Sequence, residues 1–204
     1  MHELASSTTN SFGYDNMLTN IYKFNSLGYR SHHEFETNNN PIIVIGNSIS
    51  FGIGVPYEKT FSYILEKLTN RPVYNFSVGC FLHTNSWNLT RCKEIIDFYN
   101  PSLVIFQINN IDRISIEEDT VISKDEDIIL TAFYDFYEKL KILLSNVNHL
   151  LIYWDNVSYP ILQHIINDLC IFNKYHVDTC LNLDFAFGIK SHKLIAHRLA
   201  NVLK

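Results

Sequence analysis

Short, continuous apolar runs alternate along the chain with longer stretches in which apolar residues recur every three or four positions. Pro41–Gly46 (PIIVIG), Val73–Phe76, Leu103–Ile108 (LVIFQI) and His149–Trp154 (HLLIYW) read as strands buried on both faces. Thr60–Leu68 carries Phe61, Ile64, Leu65 and Leu68 at helical spacing, and a second helical stretch runs from about Thr84 to Tyr99, stopped by Asn100-Pro101. Residues 109 to about 125 are polar and acidic and read as a loop. Asp127–Leu144 is predicted helical, with Ile128, Ala132, Phe136, Leu140 and Leu143 on one face. Pro160–Phe172 follows as a helix opened by proline, and residues 176–183 as a short fifth strand or extended segment. Ser191–Leu203 closes the chain as a helix with Leu194, Ile195, Leu199 and Val202 inward. Strands alternating with helices predict one three-layer α/β/α domain over 41–204, with a parallel sheet of about five strands. Residues 1–40 form a polar lead-in in which Ile21–Arg30 is an edge strand or an ordered arm, broken from the domain by Asn38-Asn39-Asn40-Pro41.

Composition narrows the function more than the fold. At 204 residues, 47% apolar and 18% charged, the chain is expected to fold around a sizeable core. Its 16 Lys+Arg against 21 Asp+Glu give a net charge of −5, which excludes a general nucleic-acid footprint. The longest apolar runs span about five residues, far short of the roughly 20 of a membrane span. Met1–Ser7 lacks the charged and apolar regions of a secretory signal, so a cytoplasmic location is expected. Cys80, Cys92, Cys170 and Cys180 are widely spaced, with no C-x-x-C, and read as buried thiols. No histidine pair sits at ligand spacing with a carboxylate or cysteine, so no metal and no cofactor are expected.

In parallel α/β sheets chemistry collects beyond the carboxyl ends of the strands. The first such loop reads Ile45-Gly46-Asn47-Ser48-Ile49-Ser50-Phe51-Gly52-Ile53-Gly54 and puts the Ser48 side chain at the top of the sheet. Without G-K-[ST] or G-x-G-x-x-G it is a weak phosphate cradle, and on its own residues it is as well read as a plain turn.

Taken with Phe51-Gly52-Ile53-Gly54-Val55 and Thr60–Leu65, however, this segment resembles the first block of the SGNH/GDSL hydrolases, where Gly-Asp-Ser carries the nucleophile. Tyr74-Asn75-Phe76-Ser77-Val78-Gly79 looks like the second block, and Gln107-Ile108-Asn109-Asn110 partly matches the third, Gly-x-Asn-Asp. The arm segment Asn25–Arg30 and the C-terminal Gly188–Ala196 are also similar to family segments. The resemblance covers about residues 25–204. It implies a flavodoxin-like sheet and acyl transfer from a small acyl or acetyl ester to water. In that chemistry Ser48 is the nucleophile, and the Ser48 and Gly79 N–H groups with the Asn109 side chain hold the oxyanion. Asn110, one step away, is an alternative to Asn109. Asn47 stands where the family has aspartate.

The fourth signature, Asp-x-x-His-Pro, is not found. Leu183-Asp184-Phe185-Ala186-Phe187-Gly188 puts Ala186 at the histidine position and Phe187 at the proline position, or else lacks about five residues before Gly188. A serine nucleophile needs a base within hydrogen-bond reach. Of the other histidines, His192 is nearest in sequence but reads first as a packed helix residue. His83 reads as a cleft or surface residue, His176 lies toward the far edge of the sheet, and His32-His33 form a solvated pair in the arm. The alternative is therefore a catalytically inactive SGNH-like protein that binds a ligand or partner in the cleft. Arg113 reads as a loop salt bridge or a substrate contact, and Trp154 as a wall of the cleft. The aromatic content and the arm are compatible with a homodimer.

Overall fold

The computed structural model describes residues 22–37, 39–79, 84–116, 119–153, 169–171, 179–180 and 183–204. The chain runs through β1 (Ile42–Ile45), α1 (Ser48–Phe51), a 3-10 turn (Tyr57–Lys59), α2 (Phe61–Thr69), β2 (Val73–Asn75), α3 (Asn85–Tyr99) and β3 (Leu103–Ile108). It continues through β4 (Arg113–Ile116), β5 (Asp119–Ile122), α4 (Glu126–Leu144), β6 (His149–Tyr153), β7 (Leu169–Ile171), β8 (Thr179–Cys180), β9 (Leu183–Phe187) and α5 (Ile189–Val202). Side-chain caps set the helix starts: Thr60, Thr84 and Asp125 each accept from backbone N–H groups of the first turn.

Strands β2, β1, β3 and β6 lie parallel in that order, and the three-residue β7 extends the sheet beside β6. This is the flavodoxin-like order, with its switch point between β1 and β3. Alternate residues feed the two faces, as a pleated strand requires. Ile43, Ile45, Val104 and Phe106 pack with Cys92, Ile95 and Tyr99 of α3 and Phe133, Phe136 and Leu140 of α4. Ile42, Val44, Leu103 and Ile105 pack with Phe61 and Leu65 of α2 and Ile195, Ala196 and Leu199 of α5. Burial pushes the Cys92 thiol up to about 12, so it is a core residue and not a reactive one.

Several expectations from the sequence change. Residues 113–116 and 119–122 form an antiparallel hairpin, not a loop; the β-branched alternation there lies hidden among acidic residues. The fifth strand of the sheet is Leu169–Ile171, at the end of the predicted Pro160–Phe172 helix, because a run that short does not separate strand from helix by periodicity. Within 176–183, Thr179–Cys180 instead pairs antiparallel with β9. The inward face of α4 is Ile129, Phe133, Phe136, Tyr137, Leu140 and Leu144, with Ile128 half exposed. On α5, Ile195, Ala196, Leu199 and Ala200 face in, whereas Leu194 and Val202 face out. Residues 160–168, Cys80, His83, Trp154 and His176 lie outside the described residues.

The described part of the arm begins at Tyr22 and packs beside β2. Asn25 Oδ1 accepts from Leu27 and Tyr29 N–H, and Phe24 bridges Arg30. Tyr29 sits edge-on to Phe76 at 4.7 Å, and Phe35 stacks on Tyr74 at 4.5 Å. These rings extend the core on the α3 and α4 face of the sheet, where Tyr74 and Phe76 point. Among the described residues, no helix is long and apolar enough to cross a membrane, and no cluster of three His, Cys, Asp or Glu could hold a metal ion.

Candidate active site

Strand β1 ends at Gly46, where only glycine fits. A Cβ there would stand 2.5 Å from Gln107 Oε1 and 2.8 Å from both Gln107 Cβ and Ser50 Oγ. The chain then turns abruptly into α1, a single turn capped at both ends. Asn47 Oδ1 accepts Ile49 N–H at 3.2 Å, and Gly52 closes the turn in left-handed backbone, φ 79°. Ser48 is the first helical residue, so its N–H is one of those a helix start leaves without an intrahelical partner. The Ser48 side chain is buried, and its Oγ makes no hydrogen bond to a described residue.

Three buried side chains hold this elbow. Gln107 Oε1 accepts both Asn47 N–H and Ser50 N–H at 3.2 Å, while Gln107 Nε2 donates to Asn47 Oδ1 at 2.6 Å. Asn75 Nδ2 donates to Ser50 O at 2.8 Å. Arg30, only 1% exposed, donates to the carbonyls of Phe51 (2.8 Å), Gly52 (2.5 Å) and Val55. Its guanidinium lies over the Tyr22 ring at 4.5 Å and the Phe51 ring at 5.2 Å. A cation at the carbonyl end of α1 satisfies acceptors that so short a helix cannot satisfy itself.

The other positions expected from the sequence gather around the same turn. Past β2, Phe76 and Val78 N–H donate to Val44 O and Gly46 O, which carries the chain alongside the elbow. Gly79 then abuts Phe51: a Cβ on it would meet the ring at 3.2 Å. Asn109 follows β3 and is 1% exposed. Asn85 holds it by the backbone, accepting Asn109 N–H at 2.7 Å and donating to Asn109 O at 3.3 Å. Asn109 Oδ1 lies 3.5 Å from Gln107 Nε2. Ser48, Gly79 and Asn109 thus come together at the carboxyl ends of β1, β2 and β3, flanking the switch point, whereas half-buried Asn110 joins none of these hydrogen bonds.

Across the site the described residues supply no base to Ser48. Strand β9 ends at Phe187 and Gly188 already caps α5, so no loop is left between them to carry a histidine. His192, on the first turns of α5, is fully buried and stacked on Phe61. Its Nδ1 accepts Phe61 N–H at 3.0 Å, satisfying an orphan donor at the start of α2. In the neutral ring the proton then sits on Nε2, and no lone pair remains to take one from a serine. His32 stacks on Tyr57 and faces Glu58 at 3.4 Å, His33 faces Glu66 at 3.7 Å, and His149 is exposed at the opposite end of the sheet. A groove of about 460 Å³, lined by residues such as His33, Glu66, Arg71 and Tyr74, shares no residue with the Ser48 cluster.

Solved structures share this architecture. The psychrotrophic esterase EstA from Pseudoalteromonas sp. superposes with a TM-score of 0.56 at 16% identity, over 80% of this chain and 96% of that one. A protein described as lipolytic, of the G-D-S-L family, from Desulfitobacterium hafniense gives 0.54 at 17% identity, over 80% of this chain and 99% of that one. A carbohydrate esterase whose active site is described as having divergent catalytic and non-catalytic binding functions gives 0.53 at 14%, over 81% of this chain and 68% of that one. The fold is that of the SGNH/GDSL hydrolases. By sequence the chain matches no protein-family model and no curated protein.

Within this SGNH fold, Arg30, Asn75, Asn85 and Gln107 are the residues the sequence reading passes over. Gln107 alone carries a signal, as the single polar residue in the buried run LVIFQI. A buried amide must find partners, and its partners are the elbow.

Proposed function

We propose that the protein is an SGNH-type serine ester hydrolase acting on a small acyl or acetyl ester. Ser48 Oγ attacks the ester carbonyl and a tetrahedral oxyanion forms; the C–O bond to the alkoxy group breaks, the hydroxyl proton leaves with it as the alcohol, and water then cleaves the acyl–Ser48 bond, releasing the acid and restoring the hydroxyl. The oxyanion is received by Ser48 N–H, Gly79 N–H and the Asn109 amide. A single donor of this kind contributes roughly 3–4 kcal/mol to lowering the barrier. The observation that supports the reading is the capped one-turn helix after β1, whose first residue is Ser48, at the carboxyl end of a strand that borders the switch point. Incubation with p-nitrophenyl acetate tests it: release of p-nitrophenol should disappear in Ser48→Ala, and release that survives the substitution contradicts it.

A second reading is an SGNH-like protein that binds its ligand without hydrolysing it. Its support is the base side, where β9 runs directly into α5 and His192 has already committed Nδ1 to Phe61. Measurable ester binding with no release of p-nitrophenol above the buffer rate would favour this second reading.

A further inference from the structure

We infer that Gln107 is the positioning residue of the Ser48 site, setting the elbow and the Asn109 amide from one buried side chain. The inference rests on the reading of Ser48 as a nucleophile, but its geometry stands apart from it. Gln107 lies in the middle layer, on β3, and is 1% exposed. Its amide uses both ends. The oxygen takes the N–H groups of Asn47 and Ser50, which bracket Ser48 in the chain, and the nitrogen donates to Asn47 Oδ1 at 2.6 Å. That oxygen is the same one that caps α1 through Ile49 N–H, so Gln107 fixes the cap as well as the turn. The nitrogen also faces Asn109 Oδ1 at 3.5 Å, which turns the donor end of the Asn109 amide away from Gln107.

The chemistry of the pair is specific. An aspartate at 47 could accept from Gln107 Nε2 as asparagine does, whereas a glutamate at 107 would set an oxygen against Asn47 Oδ1. Gly46 completes the arrangement, since any side chain there would occupy the space of the Gln107 amide. A displacement of the elbow by about 1 Å changes the approach of Oγ to a carbonyl, and misplacement of that size costs about 100-fold in rate. Gln107 therefore acts through Ser48 and Asn109 and does not touch substrate.

The test compares the wild-type chain with Gln107→Glu and Gln107→Leu in two measurements. In fluorophosphonate labelling, the maximal inactivation rate should fall roughly 10–100-fold in both variants while the half-saturating concentration moves less than about threefold, with every molecule still labelled at the end. A merely destabilised protein would lose labelled fraction instead. Equal maximal rates in wild type and Gln107→Glu, which keeps the volume and the acceptors, would overturn the inference. In amide hydrogen exchange, Asn47 and Ser50 should exchange faster in Gln107→Leu while Ile43 and Val44 do not; unchanged protection at Asn47 and Ser50 would also overturn it. A wild-type chain that takes no adduct contradicts the ester reading, and the exchange result alone then decides whether Gln107 sets the elbow.

Discussion

The two sides of the Ser48 site are built to different standards. On the side that carries Ser48, Gln107, Asn75 and Arg30 between them bond Asn47, Ser50, Phe51, Gly52 and Val55, and the arm contributes Tyr22, whose hydroxyl accepts Gly54 N–H at 2.6 Å. Opposite it a strand passes into a helix at Gly188 with no loop, and His192, the buried histidine among the described residues, accepts an N–H at the start of α2. The difference teaches that an elbow can be structurally over-determined independently of the group that would activate it. Glycines 46 and 52, the Asn47 cap and the Arg30 lock all serve the fold of the turn, and would be needed whether or not Ser48 reacts.

The contrast can be broken most directly from its weak side. Inserting Asp-x-x-His-Pro between Phe187 and Gly188 supplies a base, and ester turnover should rise by about 10²–10⁴-fold, the usual contribution of general-base catalysis. Assay of p-nitrophenyl acetate hydrolysis checks this, and no gain in a folded variant would mean that the base side is not what limits the site.

The strong side can be loosened in steps. Gly46→Ala forces a Cβ to 2.5 Å from Gln107 Oε1, and overpacking of this kind costs about 1–3 kcal/mol, so labelling of Ser48 should fall along with the melting temperature. Arg30→Ala leaves three carbonyls facing a cavity. With about 1–3 kcal/mol for an unsatisfied buried group, the loss should be near 3 kcal/mol, read as a fall of roughly 6–12 °C in Tm. His192→Leu removes the acceptor for Phe61 N–H and should cost about 1–2 kcal/mol in urea unfolding, with the labelling rate of Ser48 unchanged. A large loss of labelling in that variant would return His192 to the reaction.

The smallest effect comes from pH. Desolvation holds the His32 pKa below its ordinary value, outweighing the attraction of Glu58. A histidine that prefers to be neutral when folded adds stability above its unfolded pKa, near 6.5, and that contribution is lost as pH falls through that value toward the folded one. Denaturation at pH 7 and pH 5 should show a drop on acidification that shrinks in His32→Phe.

The sequence carried the sheet almost whole, because strands buried on both faces announce themselves as unbroken apolar runs. Ile42–Ile45 and Leu103–Ile108 appear where they were expected, and their loops hold Ser48 and Asn109. Leu169–Ile171 pairs as a strand where the sequence predicts a helix, because three apolar residues fit either. The inward faces of α4 and α5 differ in part from the predicted ones, since neighbouring apolar positions such as Ile128 and Ile129 leave the rotation of a helix to its packing partners. The clamps around the elbow were out of reach for another reason. Arg30 lies 21 residues from the Phe51 carbonyl and Gln107 lies 60 from Asn47, and polar pairs across such separations leave no periodic trace in the chain.

Whether Ser48 reacts is decided by the intact mass of the protein after hours with a fluorophosphonate, beside Ser48→Ala under the same conditions. One phosphonyl adduct is expected on the wild-type chain and none on the variant. No adduct on the wild-type chain, or one that persists in Ser48→Ala, would contradict the assignment of Ser48 as the nucleophile of this SGNH site.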